Sequence, residues 1–125
     1  MRLCDGAQVR AMNILYGDGD AGVMASLTAL LREAGYRVEQ AVGRNAIEQA
    51  VAGVTFDLVI LGHTLSKEDR HHLPYAIKKS SSTTRVMVLH ASGHHPKVDL
   101  ALDSRRGEAM VLQAVADLLC QPVGS

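Results

Sequence analysis

Two kinds of apolar pattern alternate along the chain. Short runs of adjacent aliphatic residues are separated by stretches whose apolar positions recur at three- and four-residue steps. The first run, Asn13-Ile14-Leu15-Tyr16, stops at Gly17-Asp18-Gly19-Asp20. That length and that ending describe a buried strand running into a loop. Phe56 to Leu61 is the strongest such run. Its aliphatic residues Leu58, Val59, Ile60 and Leu61 are adjacent, as in a central parallel strand covered on both faces, and it ends at Gly62-His63. Arg85 to Leu89 repeats the pattern and ends at His90. Tyr36 to Val42 alternates instead and predicts a second strand, and Val98 to Leu102 predicts a fifth.

The stretches between them have helical spacing. Asp20 is placed to cap a helix whose stripe is Val23, Met24, Leu27, Leu30, Leu31 and Ala34, closed by Gly35. After Gly43, Asn45 is placed to cap a second helix with Ala46, Ile47, Ala50 and Val51 inward, ending at Gly53. Ser66 to His72 reads as a polar stretch before a short helix around Leu73 to Lys79. Ser80 to Thr84 then reads as a polar turn. The last helix runs from Glu108 to Leu119, with Met110, Val111, Ala114, Val115, Leu118 and Leu119 on its inner face. Strand and helix in alternation predict an open parallel sheet with helices on both faces and right-handed crossovers. Only Ser92 to Lys97 joins the fourth and fifth strands. A parallel crossover normally takes a dozen residues or more. The helix there is therefore expected to be shortened or absent, and the direction of the fifth strand stays open.

At 125 residues the chain fits one domain, and 47% hydrophobic residues supply a core without a metal or disulfide staple. We divide it into a flexible leader at 1–11, the domain at 12–120 and a tail at 121–125. Thirteen basic residues balance thirteen acidic ones, which argues against nucleic acid as a partner. No apolar run approaches the roughly 18 residues of a membrane span, and the leader lacks the apolar middle of a signal peptide. A cytoplasmic protein is expected, with Cys4 and Cys120 as free thiols.

The strand ends carry the candidate chemistry. Asp18, His63 and His90 fall at the C-terminal edge of neighbouring strands, where open α/β sheets bind ligands, and His94 and His95 follow close by. Histidine with aspartate is a competent zinc set. The competing reading has His90 filling space beside Gly62, bonded to Asp18 or backbone, with the other histidines solvated. No HExxH or CxxC spacing favours the metal. Gly17-Asp18-Gly19-Asp20 lacks the spacing of a phosphate-binding loop, and a calcium loop would need a downstream glutamate that is missing.

Three segments taken together resemble the CheY-like receiver domains of response regulators. These are MNILYGDGD at the first strand, FDLVILGHTL at the third and VMVLHAS at the fourth, and the likeness runs from Met12 to Leu119. The resemblance implies a flavodoxin-like sheet in the order 2-1-3-4-5. It also implies site positions. Asp18 matches the first acid of a magnesium-binding pair. Gly19 stands where the second belongs, with Asp20 following. Gly62 stands at the phospho-acceptor aspartate, His90 at the Thr/Ser hydroxyl, Ser104 at the lysine and Arg105 at the proline after it. Phosphoryl transfer to such a domain needs a carboxylate nucleophile and a divalent cation. Glycine supplies no nucleophile. Asp18 and Asp20 would be a weak magnesium remnant.

Two functions follow as expectations. The first is a non-catalytic, receiver-like module of a two-component or phosphorelay system. It would act through a protein partner or a homodimer at the face of strand four, strand five and the last helix, with no aspartyl phosphorylation, no cofactor and no enzymatic activity. The alternative is a small-ligand or metal-binding domain using Asp18, His63 and His90.

Overall fold

The computed structural model describes residues 12–89, 98–102 and 107–120. The chain runs β1 (Asn13–Asp18), α1 (Ala21–Glu33), β2 (Arg37–Val42), α2 (Arg44–Gly53), β3 (Leu58–Leu61), α3 (Lys67–Ser80), β4 (Arg85–Leu89), β5 (Leu100–Leu102) and α4 (Glu108–Cys120). The five strands form one sheet in the order β2-β1-β3-β4-β5, and every pairing is parallel. This is the expected doubly wound, flavodoxin-like sheet.

Alternation along the central strands divides the core. Leu58 and Ile60 of β3 face α1 and α4, joined by Ile14, Met24, Leu31 and Val115. Val59 and Leu61 face α2 and α3, joined by Leu15, Ile47, Leu73 and Ile77. Each face of the sheet thus buries its own apolar layer, which is why β3 reads as an unbroken aliphatic run.

Helix α1 begins where Asp20 accepts a hydrogen bond from the Gly22 amide at 2.9 Å. It ends at Gly35, whose φ of 101° is open to glycine and costly for other residues. Its stripe is narrower than the spacing predicts. Met24, Leu27 and Leu31 are buried, but Val23 is 38% exposed and Ala34 is exposed. Thr28 takes the added inward place and receives a hydrogen bond from Gln40 at 2.9 Å.

Three further expectations need correction. The cap of α2 is Gly43 at a φ of 89°, so Asn45 lies inside the helix rather than before it. The polar stretch Ser66 to His72 is not a loop. Ser66 accepts from the Asp69 amide at 3.1 Å, and α3 runs unbroken from Lys67 through Pro74 to Ser80. Glu68 and Asp69 in its first turn, with Lys78 and Lys79 in its last, match the helix dipole. In α4, Val111, Val115 and Leu118 are buried, whereas Met110 is 44% exposed.

The direction of β5 is settled as parallel, with Met87 opposite Leu100 and Leu89 opposite Leu102. Asp99 fastens its start. Its amide donates to the Val86 carbonyl at 2.8 Å, and its carboxylate accepts from the Val86 amide at 2.7 Å and from Lys78 Nζ at 2.8 Å. The expectation of a shortened or absent helix between β4 and β5 falls on residues 90–97, which lie outside the described residues.

Candidate functional site

Asp18 is the last residue of β1, at the C-terminal edge of the sheet, and is fully buried. The Gly43 amide donates to its carbonyl at 2.8 Å, and the Gly62 amide donates to the Gly17 carbonyl at 2.7 Å. These bonds bring the ends of β1 and β3 together at the centre of the sheet.

The Asp18 carboxylate is held on one side. Its Oδ1 accepts from the Gly19 amide at 2.8 Å, the Thr64 amide at 2.9 Å and the Thr64 hydroxyl. The Gly19 amide also reaches Thr64 Oγ1 at 2.8 Å. The other oxygen, Oδ2, is buried and has no hydrogen-bond partner among the described residues. A Cβ added at Gly62 would overlap Oδ2 and Cγ of Asp18. The space over Gly62 is therefore filled by the carboxylate of Asp18 itself.

Two neighbouring glycines share in this packing. A Cβ at Gly19 would come within 2.9 Å of the Thr64 carbonyl oxygen. A Cβ at Gly17 would meet Ile47 Cγ1 at 2.6 Å. Both distances lie inside ordinary van der Waals contact: the missing side chain at Gly19 lets the loops after β1 and β3 approach, and the one at Gly17 makes room for Ile47 of α2.

The buried charge is felt by Tyr16, two residues earlier on β1. Burial is the main cause that pushes its phenol above the usual range; the negative charges of Asp18 and then Glu108 add to it. Glu108 is anchored from α1 by the Ser26 hydroxyl at 2.9 Å.

Among the described residues, the other predicted ones, Asp20 and His63, do not converge on Asp18. Asp20 is exposed, with Oδ1 engaged at the start of α1. His63 is exposed, and its backbone carbonyl accepts from Arg70 Nη1 at 3.0 Å. Among the described residues no group of three or more His, Cys, Asp or Glu side chains is placed to hold a metal. His90, His94, His95, Ser104, Arg105 and Cys4 lie outside the described residues. Thr64 is the residue the sequence reading missed. The available signal was a hydroxyl two positions past Gly62, on the loop that must pass the end of β1.

No family model matches the sequence, and no curated protein matches it. Solved structures do. A CheY-like response regulator receiver domain protein from Methanospirillum hungatei superposes with a TM-score of 0.77 at 16% identity, covering 87% of this chain and 94% of that one. A putative response regulator from Chloroflexus aurantiacus gives 0.75 at 20% identity, covering 90% and 100%. The signal receiver domain of a signal transduction histidine kinase from Syntrophus aciditrophicus gives 0.74 at 18% identity, covering 87% and 90%. The fold is that of a response-regulator receiver domain. At these identities the likeness defines the fold alone.

Proposed function

We propose that the chain is a receiver-like signalling module of the two-component type that works through protein contacts and is not phosphorylated on aspartate. The observation that carries this is Gly62. It stands at the acceptor position, it has no nucleophile, and the Asp18 carboxylate fills the space a side chain would need. The similar structures from Methanospirillum hungatei and Syntrophus aciditrophicus, a response regulator and a histidine kinase receiver, support the signalling context.

The residues present do not fit the magnesium ion that the fold implies. Magnesium asks for a near-octahedral set of oxygens. Gly19 replaces the second acid, Asp20 is engaged in capping, and Asp18 Oδ1 already accepts three hydrogen bonds. Of the residues in the ligand-binding alternative, Asp18 offers Oδ2, His63 is exposed, and His90 lies outside the described residues. The proposed face for a partner or a second copy is that of β4, β5 and α4; the exposed Met110 and the edge position of β5 support it. No helix among the described residues is long and apolar enough to cross a membrane.

Incubation with acetyl phosphate and magnesium, followed by intact-mass analysis, tests the reading. An unchanged mass is expected. A gain of one phosphoryl group would overturn it.

A further inference from the structure

The strand edge raises a question that the loss of an acceptor does not answer. A deleted side chain ordinarily leaves a cavity, and a cavity at this edge would admit water or a ligand. Here the notch over Gly62 is full, and the group filling it is the acid that the fold would otherwise use to bind a cation. We propose that Asp18 is an internal plug and latch. Its carboxylate occupies the notch over Gly62 and, through Thr64, ties the β3–α3 loop to the β1–α1 loop in one position.

Three observations support this. First, the overlap of Oδ2 and Cγ with any Cβ at 62 makes the Asp18 position and a side chain at 62 mutually exclusive. Second, the three donors to the carboxylate among the described residues go to Oδ1, and they come from both loops: the Gly19 amide from one, the Thr64 amide and hydroxyl from the other. Hydrogen bonds to a charged acceptor are about twice as strong as neutral ones, so the carboxylate is well held. Third, the loops can close only because residue 19 has no side chain to strike the Thr64 carbonyl. Glycines at 19 and 62 thus do complementary jobs: one admits the Thr64 loop, the other admits the Asp18 side chain.

The latch stands on this geometry and does not depend on the signalling reading. It carries a consequence for that reading all the same. A side chain restored at 62 would have to displace the Asp18 carboxylate from the notch before it could occupy it.

A double-mutant cycle over Asp18→Ala and Gly62→Ala tests the latch by thermal unfolding. Each single variant is expected to lower the midpoint, Gly62→Ala by overlap and Asp18→Ala by loss of the latch. In the Asp18→Ala background the further loss from Gly62→Ala is expected to shrink several-fold, since the overlapping atoms are gone. If Gly62→Ala alone does not fold, the double variant is expected to fold. Additive losses, or a double variant that fails where Asp18→Ala folds, overturn the proposal. Hydrogen exchange gives a second readout. In Asp18→Ala the Thr64 amide is expected to exchange about tenfold faster or more, while the Gly62 amide, bonded to Gly17, holds its protection. An unchanged Thr64 rate would also overturn the proposal. Phosphorylation of the wild-type chain by acetyl phosphate would overturn the phosphate-independent function proposed above and leave this cycle unaffected.

Discussion

At the scale of single residues, Asp18 and Tyr16 mark the same point from two sides. Both lie on β1, both are buried, and the carboxylate raises the affinity of the phenol for its proton. An unfolded tyrosine ionises near about 10, while Tyr16 in the folded chain holds its proton above that. Above that pH the folded state binds more protons than the unfolded one, so stability falls as pH rises. Tyr16→Phe is expected to flatten that fall, measured by urea unfolding across the alkaline range, because Tyr36 and Tyr75 remain in both proteins. Parallel curves would remove Tyr16 as the cause. Asp18 and Gly62 were readable from sequence because each ends a strand that the aliphatic run announces. The occupant of the space over Gly62 was not readable. It depends on which way one carboxylate turns, and a loop hydroxyl such as Thr64 has no period to expose it.

At the scale of elements, legibility followed periodicity. The runs at Ile14, Leu58 and Val86 predicted their strands because adjacent aliphatic residues need two covered faces. Helix α3 was half hidden because its first two turns, Lys67 to His72, carry no apolar stripe, and Pro74 reads as a breaker. The cap at Ser66 with acids behind it was the signal that outweighed both. The fifth strand's direction could not be read, since the six residues Ser92 to Lys97 are short for a parallel crossover. What fixes it is a side chain outside the strand. Asp99 bonds the Val86 amide of β4 and Lys78 of α3, and Lys78 also donates to the Thr84 carbonyl at 2.6 Å. Asp99→Ala leaves the amide of buried Val86 without that acceptor. It is expected to cost about 1–3 kcal/mol in chemical denaturation and to speed exchange along β5 ahead of β1. A loss near zero with β5 still protected would mean that the strand is held by its ladder alone.

For the whole molecule, the receiver fold is complete in its sheet and altered at its responsive edge. The parallel order and the two apolar layers hold across the described residues, and the superposition on a receiver domain covers 87% of the chain. Among the described residues the edge holds a buried carboxylate, glycines on either side of it, and a hydroxyl that closes over it. On the function proposed above, such a scaffold would act through protein contacts and take no phosphoryl group at Gly62, which carries no side-chain nucleophile. The most direct test is the backbone amide spectrum, titrated with magnesium and then with beryllium fluoride as a phosphoryl mimic. The account predicts that the amides of Gly19 and of Gly62 to Ser66 stay in place throughout both titrations. Saturable shifts confined to those residues would show an open, ligand-competent site and would contradict it.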